Sequence, residues 1–463
     1  MTLIKSISGI RGTIGGISGT ALTPPDIVAF AGAYGSWVKE QAAPKNGKKY
    51  TVVLGRDARI SGLLLESLVC NTLLGLGIDV INSGMATTPS VEMAVITEDA
   101  DGGIILTASH NPRQWNALKL LNSKGEFLSA AEGDRILELT SSGDIQYAEI
   151  DDLGTEQHKD YLDQHIRAIL DLELVNAESV EKKGFKVVVD AVNSVGGFAV
   201  PAVLKALGVS EIITLNCEPT GDFAHNPEPL PEHLEDIRRA VISHKADLGI
   251  VVDPDVDRLA LICSDGSFFG EEYTLVAVAD YVLSKKKGAS VSNLSSSRAL
   301  KDLTRQYDCE YFTSAVGEVN VVAKMKSVGA VIGGEGNGGI IYPELHYGRD
   351  SLVGIALFLS FMAESGKSAI ELRSSYPQYY MSKNKVRLTE GEDPDKVLRK
   401  ILDRYSADNP VIIDGVKIDF ADSWVHLRKS NTEPIIRIYT EAPSSEEAHQ
   451  LAERFISELT GLQ

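Results

Sequence analysis

Five residues in a row, Leu248–Val252 (LGIVV), run without a polar break into three aspartates at alternate positions, Asp253, Asp255 and Asp257. A strand that is apolar on both faces has to be covered on both. The run therefore belongs inside a layered sheet, and the carboxylates leave its end together. The arrangement recurs. Gly103–Leu106 enters Thr107-Ala108-Ser109, and Ala330–Ile332 enters Gly333-Gly334-Glu335.

Each of these runs closes a round of strand, helix and strand. The first round reads Tyr50–Leu54, a helix over 62–77 and Asp79–Asn82. The second reads Phe185–Val189, a helix over Gly196–Leu207 and Glu211–Leu215. The third is shorter, with Ala289–Leu294 and a helix from about Ser297. Strands alternating with helices predict an α/β fold with mixed, largely parallel sheets. Ligands in such sheets sit beyond the carboxyl ends of strands. Three similar α/β domains are thus expected around one central cleft. After about residue 375 the pattern changes. A helix over Asp393–Tyr405, strands over Val411–Phe420, Ser423–Arg428 and Pro434–Glu441, and a helix over Ser444–Leu459 predict an α+β domain with an antiparallel sheet. The expected domains are 1–152, 153–257, 258–371 and 372–463.

Charge and composition narrow the function. Forty-five Lys and Arg against 64 Asp and Glu leave a net charge of −19. That argues against nucleic acid or an anionic membrane as partner, though not against a small anion held by local arginines. No apolar run approaches the roughly 20 residues of a membrane span; Leu352–Ala363 reads as a buried helix. The first residues, MTLIKSISGIRG, lack the apolar core of a signal peptide, and a cytoplasmic location is expected. Cys70, Cys217, Cys263 and Cys309 form no CxxC pair and read as reduced core residues.

Three carboxylates held close repel one another unless a cation lies between them. Oxygen ligands favour Mg²⁺ or Ca²⁺. An EF-hand would need Gly and Glu where this chain has Arg258 and Ser264, so Mg²⁺, with few protein ligands and room for a phosphate oxygen, is the better reading. Ser109 stands at the matching strand end, with His110 and Asn111 beside it and Lys119 ten residues on. Taken alone it could equally cap a helix. Gly334, Gly336 and Gly339 satisfy G-x-G-x-x-G, but Ile340-Ile341-Tyr342-Pro343 is extended and then broken rather than helical. This reads better as a loop whose small residues let Glu335 and Asn337 reach ligand hydroxyls. Arg428-Lys429-Ser430-Asn431-Thr432, with Arg437 just downstream, offers donors suited to a phosphate dianion. Arg11, between Gly9 and Gly12, is a further arginine with glycine neighbours.

Taken in order along the whole chain, these segments resemble the α-D-phosphohexomutases, the phosphoglucomutases, phosphomannomutases and phosphoglucosamine mutases. TASHNP resembles the phosphoserine loop, DPDVDR the metal loop, GEGNGG the sugar loop and RKSNTEP the phosphate loop. The resemblance implies four domains. It implies Ser109 as the phosphorylated residue, with His110, Lys119 and Arg11 as catalytic neighbours. One Mg²⁺ per chain is implied on Asp253, Asp255, Asp257 and the Ser109 phosphate. Arg258, Glu335 and Asn337 would bind the sugar, and Arg428, Ser430, Asn431, Thr432 and Arg437 its phosphate. The substrate would be a sugar monophosphate, converted between 6- and 1-phosphate through a sugar bisphosphate, with glucosamine 6-phosphate preferred and glucose or mannose phosphates as alternatives. A metal-dependent sugar phosphatase and a non-catalytic phosphosugar-binding protein are the remoter readings. A monomer or homodimer is expected. The chain departs from the family pattern at Asn337 and Gly339, where Ser and His are usual. The departure opens the general acid/base role to Lys119, His110 or Glu318.

Overall fold

The computed structural model describes residues 2–6, 9–41, 48–389, 392–430 and 435–461. Two compact units emerge. One holds the chain up to Thr274 and again Asn337–Glu371; the other holds Leu275–Gly336 and the chain from Leu372 onward.

The first unit contains two sheets. In the seven-stranded sheet, Thr51–Arg56 lies parallel between Asp79–Met85 and Gly102–Leu106. Trp115–Leu121 then runs antiparallel to Gly102–Leu106 and carries Gly9–Thr13 on its far side. Val52, Leu54, Ile104 and Leu106 face one core with Phe30, Trp37, Leu65 and Val69. Val53 and Ile105 face another with Val91 and Val95. Alternate residues of one strand thus enter opposite cores, which is why these strands read as unbroken apolar runs. The second sheet repeats the order. Lys186–Asp190 lies parallel between Glu211–Leu215 and Leu248–Val252, and Leu259–Cys263 returns antiparallel. The strands that end at Ser109 and at Asp253 therefore occupy equivalent places.

Helix Ser351–Ser365 is buried along nearly its whole length, as its apolar sequence predicts. No single helix among the described residues is long and apolar enough to cross a membrane.

In the second unit, Ser290–Asn293 lies parallel between Tyr311–Ser314 and Ile332–Glu335. The last strand begins and ends later than its sequence suggests, running through Gly333 and Gly334 to Glu335. The glycines permit this: a Cβ on Gly333 would lie 2.5 Å from the Met325 sulfur in the covering helix. Farther on, Tyr380–Arg387, Ile435–Ala442, Trp424–Lys429 and Val416–Asp419 form an antiparallel sheet in that order. It packs Val425, Leu427, Ile436 and Ile438 against Val397, Ile401 and Phe455 of two helices. The strand expected over 411–420 shrinks to Val416–Asp419, with Val411 only bridging Lys417. Gly415 breaks it at φ +72°, where a Cβ would lie 2.1 Å from the Leu427 carbonyl oxygen. The first strand of this sheet, Tyr380–Arg387, was not legible from its alternation.

Candidate active site

The fold of the first unit brings two loops together. Ser109 leaves its strand in a left-handed turn at φ +47° and heads no helix, which removes the helix-cap reading. Its Oγ donates to Asp253 Oδ2 at 2.6 Å, and His110 Nδ1 lies 3.4 Å from Ser109 Oγ. Its amide donates to Thr107 Oγ1, and that hydroxyl donates to Asp57. Arg59, almost fully buried, pairs with Asp57 and donates to the carbonyls of Ser109, Asn111, Pro112 and Trp115. One guanidinium thus sets the path of the serine loop. The sequence reading missed Arg59. A signal was present, because Asp57 and Arg59 follow Thr51–Arg56 at the same end of the sheet as Ser109.

The aspartate loop is held with equal care. Val256 sits at φ +65°, an outlier for a β-branched residue and a cost of roughly 1–3 kcal/mol that its surroundings must impose. Ser194 Oγ donates to the Pro254 carbonyl, the Thr88 amide to that of Asp255, and the Ser351 amide to that of Val256. The amides of Asp257 and Arg258 donate to Asp253 Oδ1. Asp253, Asp255 and Asp257 are all fully buried, and one oxygen of each lies within 4.8 Å of the other two.

These carboxylates are only partly satisfied. Lys119 Nζ reaches Asp255 Oδ2 at 2.7 Å and Asp257 Oδ2 at 3.3 Å. Thr88 Oγ1 donates to Asp255 Oδ2, and Arg349 Nη2 to Asp257 Oδ2, both at 2.7 Å. Asp255 Oδ1 and Asp257 Oδ1 are buried with no hydrogen-bond partner. Buried carboxylate oxygens are costly to leave in that state. The donor set, all oxygen with two buried oxygens that no hydrogen bond satisfies, fits a divalent cation of the Mg²⁺ kind.

The charges shift one another accordingly. Burial, with Asp257 and Asp255 beside it, pushes Asp253 well above the usual carboxylate range. Burial acts the same way on Asp257, but Arg349, Lys119 and Arg258 outweigh it and hold that carboxyl low. Burial would lower Lys119, yet Asp255 and Asp257 raise it, so it stays protonated at neutral pH. Burial and the nearby Arg258, Arg349 and Arg11 keep His110 well below the ordinary histidine range, against a smaller opposing pull from Asp257. Of these two, only His110 is therefore neutral and able to accept a proton.

The remaining expected residues are placed as follows. Arg11 lies on Gly9–Thr13 in register with Ala117 of the lysine strand. Gly9 must be glycine, since a Cβ there, at φ +109°, would lie 2.2 Å from the Leu118 carbonyl oxygen. Arg258 Nη1 is 3.5 Å from Glu228. Asn337 Oδ1 accepts from the Gly339 amide, and Gly339–Ile341 is a strand, not the helix a dinucleotide motif would open. In the second unit, Glu335 Oε1 accepts from Asn293 Nδ2 and the Gly317 amide, and Glu318 is buried at the start of its helix. Arg428 and Arg437 are direct register partners on neighbouring strands. Their Nε atoms are buried without hydrogen-bond partners. Like charges opposite each other destabilise a sheet unless anions offset them, and Asp414 Oδ2 already lies 3.8 Å from Arg428 Nη1. Ser430 follows Arg428 in the same segment, whereas Asn431 and Thr432 lie outside the described residues.

Four family descriptions match the chain in order. Phosphoglucomutase/phosphomannomutase alpha/beta/alpha domains I, II and III match residues 4–146, 160–266 and 270–380, and the C-terminal domain matches 384–458. The chain is 35% identical over 451 residues, 96% of either chain, to a phosphoglucomutase/phosphomannomutase of Thermococcus kodakarensis. It is 34% identical to a protein of Methanopyrus kandleri described as "Probable phosphoglucosamine mutase", over 97% of this chain and 96% of that one. Among solved structures, a phosphoglucomutase/phosphomannomutase family protein from Burkholderia thailandensis is similar with a TM-score of 0.83 and 26% identity, over 99% of this chain and 98% of that one.

Proposed function

The chain belongs to the phosphoglucomutase/phosphomannomutase family, whose members are phosphohexomutases, and from that premise we propose that it interconverts the 6- and 1-phosphates of a hexose with Ser109 as the phosphoryl carrier. The observation that carries this reading is the 2.6 Å contact of Ser109 Oγ with Asp253, beside two buried aspartate oxygens without hydrogen-bond partners. A bare serine is a poor nucleophile. Here its oxygen stands where a divalent ion on Asp253, Asp255 and Asp257 would offset the charge of a phosphoserine.

When bound, Mg²⁺ supplies electrostatic stabilisation to a transferring phosphoryl group, whose transition state is loose and highly charged. The chain's own residues do the rest. Ser109 gives its phosphoryl group to the free hydroxyl of a sugar monophosphate: the new P–O bond forms as the P–Oγ bond breaks. The opposite phosphate of the bisphosphate then returns to Ser109. Lys119, fixed as a cation, orients Asp255 and Asp257. His110, kept neutral, is the proton acceptor we favour for the attacking hydroxyl. Arg428 and Arg437, with Ser430, supply the anion site for the phosphate that does not react; Asn431 and Thr432 are assigned to it by sequence resemblance alone. Arg258, Glu335 and Asn337 are assigned to the sugar in the same way. The domain limits 1–152, 153–257, 258–371 and 372–463 belong to this proposal, as does a cytoplasmic monomer or homodimer with its cysteines reduced. Glucosamine 6-phosphate is the substrate proposed first, supported by the description of the Methanopyrus kandleri relative.

The test is isomer formation from glucosamine, glucose and mannose 6-phosphates, with Mg²⁺ and a trace of sugar bisphosphate. A mutase forms the 1-phosphate with little free phosphate, and Ser109→Ala loses both activity and the mass of one phosphate ester. Release of inorganic phosphate in step with substrate loss would instead favour a phosphatase. Activity of Ser109→Ala would remove the covalent mechanism.

A further inference from the structure

Arg349 reaches Asp257, one of the three aspartates, although no sequence motif pointed to it. Its side chain is about nine-tenths buried, and Nη2 donates to Asp257 Oδ2 at 2.7 Å. Lys119 approaches the same oxygen at 3.3 Å, so two cations crowd Oδ2, while Oδ1 has no hydrogen-bond partner and only Arg258 Nε is recorded near it, at 4.0 Å.

The chain builds this placement from both sides. Position 339 has no side chain: a Cβ on Gly339 would lie 2.3 Å from Arg349 Cδ and 3.0 Å from its Cγ. The arginine stem thus passes through the space a residue-339 side chain would fill. On the other side, Asp350 anchors the backbone. Its Oδ1 accepts from the amides of Leu352 and Val353 at the start of a buried helix. Its Oδ2 meets His165 Nε2 at 2.9 Å and His346 Nε2 at 3.4 Å. A flexible surface arginine needs no such anchor.

We propose that Arg349, lying over Gly339, is a positioning residue that sets the charge of the phosphoryl-transfer site by sharing Asp257 with the divalent ion. It holds Asp257 by one oxygen and leaves the other for the ion. It also competes for the charge of that carboxylate, moderating the hold on the ion while adding positive charge to a site that handles phosphate. This rests on the phosphohexomutase reading above. A purely mechanical strut would behave differently, since losing it would loosen Asp257 and weaken ion binding and turnover together.

The two roles separate in Arg349→Met, which keeps the stem and removes the charge. Mn²⁺ is titrated into the full-length protein and followed by electron paramagnetic resonance, and turnover is measured in parallel. Mn²⁺ affinity is expected to rise roughly tenfold, because a cation bonded to a shared ligand no longer repels the ion. At the same time kcat falls roughly 100-fold, the scale of losing one preorganised electrostatic group, with KM for the sugar phosphate little changed. Arg349→Lys returns Mn²⁺ affinity towards that of the wild type. Weaker Mn²⁺ binding in Arg349→Met, or no change in it, overturns the proposal. Should Arg349→Met fail to fold, Gly339→Ala displaces the stem without deleting the charge. It is expected to shift affinity and kcat in the same directions by a smaller factor, and wild-type values there also overturn the proposal. A wild type that binds Mn²⁺ yet isomerises no sugar phosphate sinks the functional reading, while the Mn²⁺ titration still judges Arg349.

Discussion

Single side chains here control loops far from them in sequence. Arg59 is the clearest case, because its hydrogen bonds close the serine loop onto Asp57. Removing one partner of a buried ion pair leaves a charge uncompensated, typically at 3–5 kcal/mol. Arg59→Met is therefore expected to lower unfolding stability by roughly that amount in urea denaturation. Adding Asp57→Asn should recover part of the loss, since the stranded charge is then gone. Equal stabilities for the single and double variants would mean that the lost carbonyl bonds dominate instead. The three aspartates and Ser109 are legible as residues, because each sits in a short distinctive string. Arg59 and Arg349 are single arginines in ordinary strings, and their importance lies in what they touch.

Among the elements, the strands ending at Ser109 and Asp253 were readable because burial on both faces leaves an unbroken apolar run. Tyr380–Arg387 was not readable, because its residues are mostly exposed or half-buried polar groups and it is a strand only by pairing with Ile435–Ala442. The neighbouring strand Trp424–Lys429 carries a buried histidine with a pH consequence. His426 Nε2 donates to the Asp414 carbonyl at 2.6 Å, so Nδ1 accepts from Ser295 Oγ at 2.9 Å. Burial is the main force keeping this ring neutral. Lys417 and Arg428 add to it, the Asp414 carbonyl and carboxylate oppose it, and the pKa falls to about 4. An exposed histidine titrates near 6.5. Between those values the unfolded chain binds the extra proton, so stability is full above about pH 6.5 and declines as pH falls towards 4, with no further loss below. The unfolding midpoint of the wild type is expected to drop more between pH 6.5 and 4.5 than that of His426→Gln. Parallel profiles would remove His426 as a cause.

For the whole molecule the dominant quantity is negative charge, −19 overall and three carboxylates in one buried group. A divalent ion binding there stabilises the folded chain by mass action, about 2.7 kcal/mol at a hundred times its dissociation constant. Mg²⁺ is expected to raise the thermal midpoint, EDTA to reverse the rise, and Asp255→Ala to abolish it. A Mg²⁺-dependent rise that survives in Asp255→Ala would place the ion elsewhere.

Local order in the chain determined the layered α/β architecture, the antiparallel sheet towards the C-terminus and the loops that carry chemistry. Apolar runs, glycines and clustered polar residues act over a few positions, and their consequences can be read over the same few. Only the tertiary structure decided which oxygens of the aspartates remain without hydrogen bonds. It also brought Arg349 to Asp257 across 92 residues and set Arg428 opposite Arg437. Those contacts depend on strand order and register, and on the space a glycine leaves open, which no short stretch of sequence contains.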